Sequence, residues 1–254
     1  MSKLVLAELA GDIATLTLNR PERHNSLIPE LLRDFLSALR DASQARALIL
    51  QANGRSFSTG GDVRGFYEHR ADIEPYSNEV VSLLNETILA MIAFPVPIVA
   101  AVHGIVTGGS IGLVLASDIV LVAPETTFTP FYTTVGYSPD GGWTAMLPAI
   151  IGAKRATEAL LLDRSITAQE AVEWGLANRI VPADKIRDEV RAAASAIVRQ
   201  KPGSIQRAKR LLWGDTETVA RKLEEERQQF VEQIVTNEAQ EGMAAFLQRA
   251  QQRI

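Results

Sequence analysis

The sequence predicts an α/β fold in which helices cover a largely parallel sheet, followed by an all-helical C-terminal region. Three observations predict it. Short apolar runs rich in β-branched residues alternate with helical segments through the first two thirds of the chain. Those runs are apolar almost throughout, as strands buried on both faces are. No strand pattern remains after Ser204.

The elements follow in order. Lys3 to Ala10 and Asp12 to Asn19 alternate apolar and polar residues across Gly11-Asp12, which reads as an opening β-hairpin. In Pro29 to Ser43, Leu31, Leu32, Phe35, Leu36 and Leu39 give the spacing of an amphipathic helix, with Pro29 at its start. Ala47 to Gln51 reads as a buried strand, Gly54 to Gly61 as a glycine- and serine-rich loop, and Tyr76 to Phe94 as a helix. Pro97 to Val102 is a second buried strand, followed by a helix over Gly109 to Ser117 and a strand over Asp118 to Val122. Helices are expected at Thr167 to Gly175 and Ala183 to Gln200, with a short strand at Asn178 to Val181 between them.

The tail is charged and amphipathic, above all over Glu217 to Ile234. Helices of this kind must bury their apolar face on something. Leu211, Leu212, Trp213, Phe230, Val231, Ile234, Val235 and Phe246 offer more apolar surface than a solvated cap needs, which favours contact with another subunit over an intramolecular cap. The expected division is a core domain over residues 1–195 and a helical oligomerisation domain over residues 196–254.

Composition excludes several functions. The 254 residues are 46% hydrophobic and 22% charged, which is ordinary globular composition and not that of a disordered chain. There is no cysteine, so disulfides and thiolate chemistry are excluded, and the three histidines (His24, His69, His103) lack metal-ligand spacing, so no metal is expected. A net charge of −4 argues against nucleic acid as a partner. The most apolar stretch, Phe94 to Val102, is too short to span a membrane, and no secretory pattern opens the chain, so a cytoplasmic protein is expected.

Four stretches carry the functional signal: Leu18-Asn19-Arg20-Pro21-Glu22-Arg23-His24-Asn25-Ser26-Leu27, Arg55-Ser56-Phe57-Ser58-Thr59-Gly60-Gly61-Asp62, Pro97 through His103-Gly104, and Thr107-Gly108-Gly109-Ser110. In this order and spacing they resemble the crotonase family, the enoyl-CoA hydratase/isomerase superfamily. Glu241-Gly242-Met243-Ala244-Ala245-Phe246-Leu247 is similar to that family's C-terminal end. The resemblance implies a spiral of repeated β-β-α units with a helical trimerisation region, and a homo-oligomer that is a trimer or a dimer of trimers. It also implies an acyl-CoA substrate, with coenzyme A entering only as part of that thioester and no separate cofactor.

The resemblance further implies an oxyanion hole from the backbone N–H groups of Gly61 and Gly109. The residues agree with it. Gly61 sits where paired glycines let the backbone face a ligand. Gly109 follows a strand and opens a helix, so its amide lacks an intrahelical acceptor and lies at the positive end of the dipole. Either stretch alone would be an ordinary glycine turn.

Two departures bear on the reaction. Family hydratases carry one glutamate three residues after the second glycine, where this chain has Gly112, and another where it has Tyr132. Neither residue does the proton work of a glutamate near neutral pH. Gly112 either lets a helix pack closely or widens the acyl pocket. The acid that remains nearby is Asp140, in Ser138-Pro139-Asp140-Gly141-Gly142, which most closely resembles the isomerase branch of phenylacetate catabolism. Asp140 is expected to shuttle a proton, the competing reading being an N-cap for a helix over Trp143 to Ile150.

Phe66, Tyr67, Phe131, Tyr132, Tyr137 and Trp143 fall in segments expected to wall the acyl pocket, with Phe66, Tyr132, Tyr137 and Trp143 as the chosen substrate contacts. Arg23 is a candidate for the CoA phosphates. His24 and His103 read as structural. The expected activity is double-bond isomerisation of an enoyl-CoA. Its alternatives are a hydratase-like lyase, a nucleophilic-aspartate dehalogenase or thioester hydrolase, and a non-catalytic acyl-CoA-binding subunit.

Overall fold

Alternation at the N-terminus closes into the expected hairpin: β1 (Val5–Ala10) pairs antiparallel with β2 (Ile13–Leu18). The computed structural model describes residues 3–251, so residues 1–2 and 252–254, the outer ends of the two regions expected from sequence, lie outside the described residues. Helix α1 (Pro29–Asp41) starts at its proline and buries Leu31, Leu32, Phe35, Leu36 and Leu39, the stripe legible in the sequence. Strand β3 (Ala47–Ala52) follows, then α2 (Val63–Glu68) and the long α3 (Ile73–Ala93), which begins three residues before the expected Tyr76. Pro75 is tolerated there because first-turn amides have no intrahelical acceptor.

From β3 onward the chain repeats a pattern. A strand enters a large sheet, a shorter strand enters a small one, and a helix returns. β4 (Ile98–Val102), β5 (Ile105–Thr107) and α4 (Ile111–Leu115) form one such turn; β6 (Ile119–Val122), β7 (Thr127–Thr129) and α5 (Tyr132–Val135) form the next. The turn before them is β3, then a single bridge from Ser58 to Val106 in the small sheet, then α2. The large sheet is closed by β9 (Arg179–Ile180) in the order β1-β2-β3-β4-β6-β9, parallel after the opening hairpin. The small sheet is β5-β7-β8, with β8 (Ile166–Thr167) antiparallel.

Two expected helices are shorter than their sequence pattern. Gly109 to Ser117 opens as one tight turn over Gly108–Ser110 before α4. Trp143 to Ile150 begins as turns, and α6 (Leu147–Ile151) starts only at Leu147, because Gly141 and Gly142 both have positive φ (64° and 96°) and break the helical path. Helices α7 (Ala153–Leu161), α8 (Ala168–Glu173) and α9 (Ile186–Val198) follow. Ala47, Ile49, Val99, Ala101 and Leu121 pack one sheet face on Ile186, Val190 and Ala194 of α9, while Leu48, Leu50, Ile98 and Ala100 face the main core. Both faces of β3 and β4 are therefore covered, which accounts for their unbroken apolar sequence.

The tail folds back on its own chain. Of α10 (Pro202–Trp213), α11 (Thr216–Ile234) and α12 (Asn237–Gln251), α11 runs along α3, and Leu223, Phe230, Ile234 and Met243 join the main core. Asn85 of α3 donates to the Leu223 carbonyl at 2.9 Å. Of the apolar residues that the sequence assigned to another subunit, Phe230 and Ile234 are thus buried within the chain and Trp213, Val231 and Phe246 are half-buried. Leu211 and Leu212, 81% and 86% exposed, are left over together with Val235. No helix among the described residues is long and apolar enough to cross a membrane.

A buried ion pair anchors α10. Lys209 Nζ donates to Asp118 Oδ2 at 2.8 Å and to the carbonyls of Met91 and Val96 at 3.3 and 3.2 Å. Asp118 also accepts from the Ile98 amide at 2.8 Å and Trp213 Nε1 at 3.0 Å. Asp118→Ala strands a buried ammonium and is expected to cost about 3–5 kcal/mol. Lys209→Met leaves a less buried carboxylate with two donors and should cost less, about 1–2 kcal/mol. Urea denaturation of the two variants measures the difference.

Candidate active site

Gly61 and Gly109, the glycines expected to form an oxyanion hole, stand at equivalent places in successive turns of the spiral, each just ahead of the returning helix. Backbone pairing locks those turns together. Ser58 N donates to the Ile105 carbonyl at 3.2 Å, and Thr107 N donates to the Ser58 carbonyl at 3.1 Å. Ser110 Oγ donates to Thr107 O at 2.7 Å and lies 3.1 Å from the same Ser58 carbonyl. Neither Gly61 N nor Gly109 N has an acceptor among the described residues, and both residues line one cavity of about 600 Å³.

Asp62 fixes the first loop. Its carboxylate caps α2 by accepting from the amides of Arg64 and Gly65 at 3.2 and 3.3 Å. Arg20 Nη1 reaches Oδ2 at 2.9 Å, and Arg23 Nη2 reaches Oδ1 and Oδ2 at 2.9 and 3.0 Å. Burial pushes this carboxyl up, but the Arg20 hydrogen bond and the Arg23 and Arg20 charges outweigh it and hold it below the usual carboxylate range. Arg23 therefore lines the cavity with one guanidinium nitrogen, Nη2, engaged by Asp62. Arg55 and Arg64, both exposed at the cavity mouth, add positive charge there.

Asp140 is buried and lines the cavity beside Gly109. A Cβ placed on Gly109 would lie 2.8 and 3.0 Å from Asp140 Oδ1 and Oδ2. The Tyr132 hydroxyl donates to Oδ1 at 2.6 Å and lies 3.0 Å from the Asp140 carbonyl, while Oδ2 has no hydrogen-bond partner among the described residues. Burial pushes the Asp140 carboxyl up to about 7, the Tyr132 bond opposes the shift and the nearby Glu226 charge adds to it. Burial first, then the Asp140 charge, raises Tyr132 well above its ordinary value, so it stays a neutral donor.

The N-cap reading of Asp140 is overturned. The amides it would cap are taken by Glu226 of α11, whose carboxylate accepts from Gly142 N at 2.8 Å, Thr144 N at 2.7 Å and Ala145 N at 2.9 Å. Gly112 is resolved as a packing glycine. A Cβ there would meet Ile88 Cδ1 at 2.4 Å and the Gly141 carbonyl at 2.7 Å, so it neither widens the pocket nor leaves room for a glutamate.

Of the aromatic residues expected to wall the pocket, Phe66, Phe131, Tyr132 and Tyr137 line it. Trp143 does not. It is fully buried behind the site, where its Nε1 donates to the Gly108 carbonyl at 2.9 Å and braces the turn that carries Gly109. Tyr67 lies outside the cavity, under the Arg70 guanidinium. His24 lines the cavity, and both His24 and His103, which sequence reasoning took as structural, have polar partners. His24 Nδ1 lies 2.9 Å from Ser56 Oγ, and its Nε2 accepts from Arg55, since a guanidinium only donates. His103 Nε2 donates to the Gly54 carbonyl at 2.9 Å.

Sequence reasoning missed what the tail brings to the site. Phe230 of α11 and Phe246 and Leu247 of α12 line the cavity, and Phe230 packs on Tyr137 and Phe66 with ring centroids 5.3 and 5.8 Å apart. The i, i+4 pair Phe230 and Ile234 was the available signal, because such a stripe fits a core face as well as a subunit interface. Among the described residues no cluster of acidic or histidine side chains could hold a metal ion.

Comparison with known proteins agrees with this geometry. A protein from Thermus thermophilus named putative enoyl-CoA hydratase is 36% identical over 80% of this chain and 81% of its own length. The 1,2-epoxyphenylacetyl-CoA isomerase of Escherichia coli is 28% identical over 97% of this chain and 96% of its own. A crystal structure of an enoyl-CoA hydratase from Bacillus halodurans superposes with a TM-score of 0.89 at 28% identity, covering 95% of this chain and 99% of that one, which establishes the crotonase fold. The family profile described as enoyl-CoA hydratase/isomerase matches residues 8–253, and with the paired glycine turns and the shared spiral this chain belongs to that family.

Proposed function

We propose that this protein is an enoyl-CoA isomerase in which Asp140 carries a proton between carbons of the acyl chain. The observation that carries the reading is the state of Asp140: a buried carboxyl against Gly109, pushed up to about 7, with one oxygen held by Tyr132 and the other unpartnered. A base of that strength is matched to proton transfer near neutral pH.

In this reading the thioester oxygen accepts from Gly61 N–H and Gly109 N–H. Asp140 Oδ2 removes a proton from C2 of a 3-enoyl thioester, the C–H electron pair delocalises over the thioester and the C3–C4 double bond, and the two amides hold the resulting oxyanion. One such donor is worth about 3–4 kcal/mol. Protonated Asp140 then delivers the same proton to C4, leaving the double bond between C2 and C3. Hydration is disfavoured, because both glutamate positions are occupied by groups that cannot activate water: Gly112 has no space for a side chain, and Tyr132 is bound to Asp140. The aromatic wall of Phe66, Tyr137 and Phe230 favours a flat or ring-derived acyl group, and the arginines at the mouth suit the coenzyme A phosphates. A homotrimer or a dimer of trimers is what the family resemblance implies, and the exposed Leu211 and Leu212 offer one candidate subunit contact.

Asp140→Asn should lower kcat on a 3-enoyl-CoA by about 10³-fold. In deuterated water the wild type should place deuterium on product carbon, whereas a thioester hydrolase would take up oxygen from heavy-oxygen water. An Asp140→Asn variant with near-normal turnover, or wild type that binds acyl-CoA without carbon exchange, sinks the isomerase reading. Wild-type kcat/KM should rise with pH through about 7 as the base ionises.

Stability moves the other way. A carboxyl raised in the folded state contributes stability below its unfolded pKa near 3.9 and loses it as pH rises through about 7. Asp140→Asn should therefore raise the melting temperature at pH 8 more than at pH 4, which calorimetry at the two pH values checks. Leu211→Glu with Leu212→Glu should reduce the sedimentation mass to that of smaller species if α10 forms the subunit contact.

A further inference from the structure

Glu226 is 5% exposed and makes four hydrogen bonds, all as acceptor. Besides the three backbone amides, Thr144 Oγ1 donates to its Oε1 at 2.7 Å. Donors on every side favour the anionic form of this carboxyl. Burial outweighs the hydroxyl and amide donors, and the carboxyl lies above its ordinary range. No step of the proposed reaction uses this group, yet burying it costs free energy that only good geometry repays.

The loop it grips is the one that carries Asp140. A Cβ on Gly141 would lie 2.4 Å from both Gly109 Cα and Gly109 O, so this loop rests directly on the backbone of the turn that presents the Gly109 amide. We propose that Glu226 is a positioning residue for proton transfer, clamping loop 140–145 so that Asp140 and the Gly109 amide keep their relation to one substrate. The inference rests on the isomerase reading of the same site.

The clamp also acts by charge. The titratable groups that face Asp140 are Tyr132 from α5 and Glu226 from α11, while Leu84 of α3 and the 108–110 turn contribute none. Tyr132 is neutral and favours the anion. The Glu226 charge disfavours it and keeps Asp140 a stronger base than burial alone would. Lys222 and Glu225 of the same helix border a groove beside the loop.

The test reads the carboxyl itself, without substrate. In full-length protein labelled with ¹³C at the aspartate carboxyl, the Asp140 resonance is assigned by its loss in Asp140→Asn. Its titration midpoint should lie near 7 in the wild type and fall by roughly one unit in Glu226→Gln, as expected for removal of a like charge. C2–H exchange of an acyl-CoA in deuterated water should slow about tenfold in the same variant, with a smaller change in KM. An unmoved midpoint overturns the proposal, even if the melting temperature falls.

Should Glu226→Gln not fold, Glu226→Asp keeps the charge and shortens the reach. Its Asp140 midpoint should stay near the wild-type value while exchange slows about tenfold; wild-type exchange in that variant overturns the clamp. If Asp140→Asn itself retains isomerase activity while the midpoint shifts as described, the isomerase reading fails and the clamp on the carboxyl stands.

Discussion

The site depends on the pairing of two loops from adjacent turns of the spiral. Ser58 and Val106 form a single parallel bridge, and Ser110 Oγ reaches across to the Ser58 carbonyl. This contact brings to one cavity two amides, Gly61 and Gly109, that are far apart in sequence, and neither has an acceptor among the described residues. Backbone donors fixed by sheet pairing need no reorganisation when charge develops on a bound oxygen, which is the condition under which such donors are most effective. Trp143, bonded to the Gly108 carbonyl, and Asp62, capping α2, brace the two loops from behind.

Around that fixed pair, the ionisation of each carboxyl is set by its environment. Asp140 has a low-polarity setting, one hydroxyl donor and a second carboxylate beyond it; burial dominates and the carboxyl is raised. Asp62 is also buried, but two guanidiniums contact it and its carboxyl is lowered. Two aspartates on one cavity are thus shifted in opposite directions, for reasons read from their neighbours alone.

Much of the architecture was legible in the sequence because its signals are local. The α1 stripe, the opening hairpin and the apolar runs of β3 and β4 need only periodicity. The glycine pairs were legible through resemblance, and their meaning through backbone chemistry. What could not be read was partnership at long range. Nothing near Asp140 in sequence says that its neighbouring amides are capped from residue 226, so a local N-cap was a sound inference with the wrong acceptor. Trp143 was placed in the pocket because it is large and aromatic, and the structure spends it as a brace. The tail's apolar residues were ambiguous for a similar reason, since periodicity identifies a buried face without identifying what buries it.

The reach of Glu226 has a consequence for how the molecule comes together. Its bond to the Gly142 amide spans 84 positions in the sequence, and the Lys209 bridge to Asp118 spans 91. Contacts this distant are entropically costly to close, and that cost predicts that they form after the local strands and helices. The spiral can therefore acquire its shape while the pocket is still open on one side, and the catalytic arrangement is finished only when the last helices dock.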